Sequence, residues 1–408
     1  MIRFIHCADL HLGRPIKTHA DLPASFIKQL QSATYQSFES IVNKAIEFNV
    51  DFMLISGDVY DSEHRSYRGQ WFLKKQAERL QKVNIPIYVI HGNHDPIKAE
   101  HSNNRLPENV HVFSEKFEVV SLLTAKNEKV YLYGFSYPNK AYYDNPIPMY
   151  ETIGEMSAYH IALLHGQESS QKDHEPYAPF SLNELKQKNI DYWALGHIHK
   201  RQILSSNPSV VYPGNIQGAH KKENGEKGAY YVEMTKTDTM LTFLPTSRVQ
   251  WEHMNISIDE CEIMDELLDR IQQISEILDL QKHYLVEVHL TGGGPLHEQL
   301  IQDNVQQELM TILRSEVFHS SNVWINSLYV NTTLPIERER LKEKDDLLGD
   351  IVRVVDTLEE QHVEEALQPV FSHLVMRKYL ECLSQEEIQE IVETAERKIL
   401  TSLMREVK

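Results

Sequence analysis

The chain has 408 residues, 41% of them hydrophobic, and a formal net charge of −18 at pH 7. This is globular composition with room for two or three domains; no apolar run is long enough to span a bilayer, and the start, MIRFIHCADLHLG, lacks an apolar core ahead of a small-residue cleavage site, so neither a membrane helix nor a signal peptide is expected. Residues 1–250 hold 27 acidic and 27 basic side chains, 251–334 hold 14 and 3, and 335–408 hold 18 and 11, so contact with nucleic-acid phosphates has to come from local basic groups of the first region, from bound metal ions or from a partner.

In chain order, IRFIHCA (2–8) reads as a buried strand. SFESIVNKAIEFN (37–49) is an amphipathic helix, with Phe38, Ile41, Val42, Ala45 and Ile46 at helical spacing. DFMLIS (51–56) is a strand, 71–83 a helix and IPIYVIH (85–91) a third strand; KVYLYGFSY, YHIALLH, DYWALG, SVVYPG, GAYYVEM and TMLTFLP follow as further strands. More strands than helices in the later part predicts two sheets stacked between helices, an α/β (α+β) class, rather than one doubly wound sheet. Past Trp251 the order strand, helix, strand, helix, strand predicts a small α+β domain over 251–334. Residues 335–408 then begin with a charged linker, within TLPIERERLKEKDD, and continue as two or three helices. The three cysteines, Cys7, Cys261 and Cys382, form no CxxC pair and suit a reducing, cytoplasmic compartment.

Five polar clusters fall at strand ends of the first region: Asp9-Leu10-His11, Gly57-Asp58-Val59-Tyr60-Asp61, Gly92-Asn93-His94-Asp95, His165-Gly166 and Gly196-His197-Ile198-His199. Carboxyl ends of strands are where α/β sheets bind ligands. The inventory is Asp, His and Asn without Cys, which suits borderline-hard divalent cations and argues against a thiolate site. It holds too many ligands for one ion. Two ions roughly 3.5–4 Å apart, sharing a carboxylate, would use them all and clamp a phosphate for in-line attack.

This ordered set of D-x-H, G-D-x-x-D, G-N-H-D, H and G-H-x-H blocks resembles the calcineurin-like metallophosphoesterase superfamily, and CADLHLG with GDVYD is similar to its SbcD branch of DNA repair nucleases. The resemblance implies a four-layer αββα sandwich over 1–250, an α+β cap over 251–334 and a helical tail. It implies that Asp9, His11 and His199 hold one metal, that Asn93, His165 and His197 hold a second, and that Asp58 bridges both. His94 would face the scissile phosphate and assist the leaving oxygen, with Asp95 orienting its ring. The implied activity is manganese-dependent hydrolysis of DNA: a 3′–5′ exonuclease with single-strand endonuclease activity. The implied partners are DNA, an SMC-like coiled-coil ATPase gripped by the C-terminal tail, and a second copy of the chain paired through the stretch 25–49, where Phe26, Ile27, Leu30, Phe38 and Ile41 are apolar. The chain departs from the family in carrying Asp61 where archaeal and eukaryotic relatives have a histidine, and Gly214-Asn215-Ile216 where G-S-P is usual. A small-molecule phosphodiesterase on the same fold, and a largely structural subunit of an ATPase complex, are the alternative readings.

His6, His91 and His160 are expected as packed strand histidines, and Gly292-Gly293-Gly294 as a turn, since no Lys-Ser/Thr follows it. Tyr142 and Tyr143 are open between base stacking and an ordinary loop. The basic candidates for phosphate contact are Arg14, Lys17, Arg65, Arg68, Lys200, Arg201, Lys221 and Lys222. In the tail, Ile388, Ile391, Val392, Ala395, Ile399 and Leu403 form a helical stripe, opened by a Ser384/Glu387 capping box.

Overall fold

In the computed structural model the described residues are 1–18, 22–61, 67–97, 106–169, 177–279, 281–318, 322–373 and 383–406; Arg65 and the stretch 374–382, with Cys382, lie outside them. The chain divides into two units, Met1–Trp251 and Glu252–Lys408.

The first unit runs β1 (Ile2–Cys7), α1 (Ala24–Glu47), β2 (Phe52–Ser56), α2 (Tyr67–Gln81), β3 (Ile87–Ile90), β4 (Val110–Val112), β5 (Glu118–Leu123), β6 (Lys129–Gly134), β7 (Tyr159–His165), α3 (Leu182–Gln187), β8 (Tyr192–Gly196), β9 (Gln202–Ser206), β10 (Ser209–Tyr212), β11 (Gly228–Met234) and β12 (Thr239–Pro245). Two six-stranded sheets result, ordered β12-β11-β1-β2-β3-β4 and β5-β6-β7-β8-β10-β9. Strands β1 to β4 are parallel, as are β6, β7, β8 and β10. Parallel strands are covered on both faces, which is why β2 and β7 are continuous apolar runs rather than alternating ones.

The alternation of β1 decides the layering. Ile2 and Phe4 point to the second sheet and pack with Phe52, Leu54, Ile161, Leu163, Tyr192 and Val211. Ile5 and Cys7 point the other way, onto Phe38, Ile41, Val42 and Ala45 of α1 and Leu73, Ala77 and Leu80 of α2. The far face of the second sheet, with Ala162, Leu164, Trp193 and Val210, is covered by α3 through Leu185 and by Tyr150 and Phe180. Helices, sheet, sheet and helix make the four αββα layers. Each fully buried large apolar side chain contributes about 1.5–3 kcal/mol to holding them.

Some local readings change. The helix expected from residue 37 starts at Ala24; its first half is rich in Gln, Ser and Thr, which hides the apolar period. Strands β4, β5 and β9 were not expected. All three lie at sheet edges or are only partly buried, so their sequences carry little apolar alternation. Phe26, Leu30, Phe38 and Ile41 are buried in the unit's own structure, leaving Ile27 of that set exposed.

The second unit runs β13 (Val249–Ser257, entering from the first unit), α4 (Met264–Gln272), α5 (Ile274–Ile277), β14 (His283–Thr291), α6 (His297–Leu300), α7 (Asp303–Ile312), β15 (Val323–Val330), α8 (Arg338–Lys342), α9 (Leu347–Asp356), α10 (Glu360–Ser372) and α11 (Gln385–Glu406). The three strands form one sheet, β13-β14-β15. The stretch expected as a charged linker instead contains α8. Its Leu341 packs with Val352 of α9 and Leu400 of α11, and Arg338 bonds Glu396 at 3.0 and 3.1 Å. Ser384 and Glu387 form the capping box at the start of α11. Gly292, at φ 83°, turns the chain, and Gly293 donates to Asp259 at 2.6 Å, so a carboxylate of the chain itself occupies that turn.

Candidate metal centre

All five strand-end clusters converge in the first unit. Asp9 and His11 follow β1, and the loop after β2 is laced to them: Asp9 N donates to Gly57 O at 3.1 Å and His11 N to Asp58 O at 3.0 Å. Asp9, His11 and Asp58 hold φ of 51°, 41° and 50°, and His197 holds 99°. Positive φ at four non-glycine residues is backbone strain concentrated at one spot. A Cβ on Gly57 would lie 2.2 Å from His165 Nδ1, and one on Gly92 would lie 2.3 Å from Asp58 Oδ1. Glycine at both positions leaves the space those side chains fill.

Two sets of donors can be distinguished. Asp9, His11 and His199 form one, with His11 Nε2 and His199 Nε2 facing each other at 3.1 Å. In the other, Asn93 Oδ1 lies 2.9 Å from His165 Nε2 and 3.3 Å from His197 Nδ1. Asp58 Oδ2 stands between the sets, 3.8 Å from His11 Nε2 and 3.5 Å from His165 Nε2. His165 Nδ1 donates to Ser56 O at 2.9 Å, which turns Nε2 into the site. The His197 ring is steadied by stacking on Tyr177 at 5.3 Å.

The charges are matched to cations. Burial drives the Asp9 carboxyl up, opposed by the His199 and His165 imidazoles. Burial alone would also raise Asp58, but His165, by charge and hydrogen bond, holds it well below the usual carboxylate range. Burial would lower His165; the Asp58 carboxylate overrides this and lifts it to about 9. Two desolvated carboxylates call for positive counter-charge, which protonated imidazoles supply and divalent cations supply while leaving the rings neutral. Two carboxylates, four imidazoles and an amide oxygen, gathered with their donor atoms inward, fit a pair of borderline-hard divalent ions.

His94 differs from the others. Its side chain is 38% exposed, at the mouth of the site, and its ring lies 5.0 Å from that of His11. Its backbone N donates to Asp58 Oδ1 at 2.9 Å, so Asp58 fixes where it stands. The expected support from Asp95 is absent. The buried Asp95 carboxylate accepts from Val59 N at 2.8 Å, Tyr60 N at 3.2 Å, Gly92 N at 2.8 Å and His91 Nδ1 at 2.8 Å. A side chain one residue after His94 in a tight turn points inward, and it braces the second block against the third. The carboxylate facing His94 is Asp61, with Oδ1 3.7 Å from His94 Nδ1.

One contributor was not anticipated. Glu223 accepts from His199 Nδ1 at 2.5 Å and from Ala219 N at 2.6 Å. That bond fixes the His199 tautomer with Nε2 facing His11, and it raises the His199 pKa against the lowering effect of burial. In sequence Glu223 sits in His220-Lys221-Lys222-Glu223, where the basic neighbours draw attention; the only signal was a lone carboxylate shortly after the YPGNIQG loop. Asn215 of that loop and Lys227, just before β11, brace the same ligand: Asn215 N and Lys227 Nζ both donate to His199 O, at 3.3 and 3.2 Å.

The other candidates sort by packing. His6 and His160 are buried. Tyr142 packs on Tyr137 at 5.0 Å, whereas Tyr143 is exposed. Arg68 lies over the Tyr35 ring and Arg201 over the Phe243 ring. Lys17, Lys200, Lys221 and Lys222 are exposed. Arg14 is close enough to depress His11, behind the larger effects of burial, Asp58 and His199.

The calcineurin-like phosphoesterase profile matches residues 2–201, and that of the metallophosphoesterase YhaO middle domain matches residues 251–333. The metallophosphoesterase YhaO of Bacillus subtilis (strain 168) is 35% identical over 401 residues, covering 97% of this chain and 96% of its own. The DNA double-strand break repair protein Mre11 of Sulfolobus acidocaldarius is 21% identical over 404 residues, covering 90% and 98%. Mre11 of Archaeoglobus fulgidus is 25% identical over 298 residues, covering 67% and 64%. Metal-dependent hydrolysis of phosphoesters is the chemistry of this fold and donor set, and the chain belongs to the calcineurin-like metallophosphoesterase family, in the group that carries the YhaO middle domain.

Proposed function

We propose that this protein is a two-metal, manganese-dependent phosphodiesterase acting on DNA, a 3′–5′ exonuclease with single-strand endonuclease activity, serving as the cytoplasmic nuclease subunit of a complex with an SMC-like coiled-coil ATPase. The observation that carries the phosphodiester chemistry is the convergence of seven inward-facing donors beneath one half-exposed imidazole. DNA as the substrate rests on the nearly full-length alignment with an Mre11 repair protein.

In this reading Asp9, His11 and His199 hold one ion, Asn93, His165 and His197 the other, and Asp58 is shared. Divalent cations supply polarisation of the phosphoryl oxygens and acidification of the attacking water. The protein supplies the rest. Glu223 and Ser56 O orient two of the imidazoles. His94 delivers a proton to the leaving oxygen, and Asp61, rather than Asp95, keeps its ring turned. Asp95 holds the loops that carry Asp58 and Asn93 in register. Arg14, close enough to lower the His11 pKa, is a basic group placed to meet a phosphate oxygen. The homodimer would form on the exposed apolar side chains Ile27, Tyr67 and Trp71 of α1 and α2.

The test is hydrolysis in Mn²⁺ of linear duplex DNA, single-stranded DNA and a chromogenic phosphodiester. DNA cleavage that disappears in Asp58→Ala is the expected result. Turnover of the chromogenic ester with none on either DNA would favour a small-molecule phosphodiesterase, the reading that the charge balance of residues 1–250 supports. Turnover of neither would leave a structural subunit.

A further inference from the structure

The second unit carries a separate group of ligand-type side chains on its three-stranded sheet. His253 on β13 and Glu287 and His289 on β14 each offer a donor atom, and these atoms lie within 4.8 Å of one another. Glu287 and His289 are two apart on one strand and therefore share a face. The intervening Val286, Val288 and Leu290 face the other way, into the core with Ile256, Ile325 and Leu309.

The group is built, not scattered. Glu287 is 2% exposed. Ser327 Oγ and Tyr329 OH, on the neighbouring β15, donate to its Oε1 at 2.6 and 3.2 Å. That leaves Oε2 turned to His253 Nδ1 at 3.2 Å. His289 stacks on Tyr329 with ring centroids 4.7 Å apart, which fixes its plane. The His253 and His289 rings lie 6.1 Å from each other. The strand register makes this arrangement: β14 pairs with β15 so that Glu287 opposes Ser327 and His289 opposes Tyr329.

We infer that His253, Glu287 and His289 form a third metal site, independent of the phosphoesterase centre, that takes a Zn²⁺-class ion. Two imidazoles and one carboxylate are a zinc donor set, and three protein ligands leave a fourth position for water or an incoming group. The hydroxyls of Ser327 and Tyr329 orient the carboxylate, as supporting groups do at metal sites. His253 is exposed, so an ion bound there is reached from solvent. The carboxylate is buried and held from behind, with its second oxygen turned toward one of the imidazoles.

The full-length chain, dialysed against Zn²⁺ and then against metal-free buffer, is assayed for zinc per protein by elemental analysis. The double variant His253→Gln/His289→Gln, altered at side chains outside the apolar core, is compared with its parent, both with the native phosphoesterase centre and in an Asp58→Asn background. The expected result is one zinc fewer per chain in either background and, where the phosphoesterase centre is native, unchanged hydrolysis of a chromogenic phosphodiester. Glu287→Gln, which keeps the shape of the side chain, is expected to weaken zinc binding at least tenfold. Equal zinc content in parent and double variant overturns the site, whatever becomes of the phosphoesterase reading.

Discussion

At the scale of single residues, the site separates groups that hold from groups that act. His94→Ala is expected to retain the metal content of the parent and to lose roughly 10²–10⁴-fold in turnover, the usual range for a general acid; loss of an ion from the variant would move His94 among the ligands. Asp61→Asn is expected to lower kcat without changing metal affinity. Glu223→Gln keeps an acceptor for His199 but removes the charge behind it. Apparent metal affinity is expected to fall about 10–100-fold, with activity restored at saturating Mn²⁺. A rate deficit that persists at saturation would count against a purely orienting carboxylate. His6 belongs to a different category. Burial between the sheets lowers its pKa from 6.5 to about 3, and the neutral ring is held by Tyr192 OH at 3.0 Å and Leu195 O at 3.1 Å. Because the folded value is depressed, its contribution is complete above pH 6.5 and is lost as pH falls from there toward 3. By pH 5 the loss is about 2 kcal/mol. The urea midpoint, measured in chelator, should fall less between pH 7.5 and pH 5 for His6→Gln than for the native chain.

At the scale of elements, the sequence announces what is periodic and hides what is not. Asp9, His11, Asp58, Asn93, His165, His197 and His199 were legible because each ends an apolar run. The bracing was not: Glu223 reaches His199 across 24 positions, and the inward turn of Asp95 depends on backbone N–H groups that no side-chain pattern encodes. In the same way α8 was hidden, since its five residues RERLK owe their place to ion pairs with Glu396 and Asp356 from later helices. The helix pair α1 and α2 makes the opposite point. Most of the apolar residues of α1 were needed for the core, while Trp71, 54% exposed, and Tyr67, 82% exposed, remain outside. A dimer is therefore expected to depend on α2 more than on α1. Trp71→Glu should shift sedimentation at high micromolar concentration from dimer to monomer, and a native chain that sediments as a monomer there would remove the interface.

At the scale of the whole molecule, charge and unused apolar surface point to the same conclusion. The first 250 residues are electrically balanced, and the remainder holds 32 acidic against 14 basic groups, so the chain alone offers DNA few phosphate contacts. The tail also leaves apolar side chains in water. On α11, Ile388 and Leu400 are buried, but Ile391 and Ile399 are 36% and 49% exposed, two turns apart on one face; on α9, Leu347 and Val354 are 62% and 58% exposed. An amphipathic helix whose second face is apolar suits a groove or the base of a coiled coil, and a basic ATPase docked there would bring phosphate-binding surface to a chain whose net charge is −18. Ile391→Asp/Ile399→Asp alters only exposed positions, so folding and hydrolysis of a chromogenic phosphodiester should be unchanged. Co-purification with the coiled-coil ATPase should fall at least tenfold, which needs about 1.4 kcal/mol of lost contact. The ATPase should also restore DNA cleavage to the native nuclease at salt concentrations where the nuclease alone fails, and should not do so for the variant. Undiminished binding by the variant would mean that this face of α11 is not the docking surface.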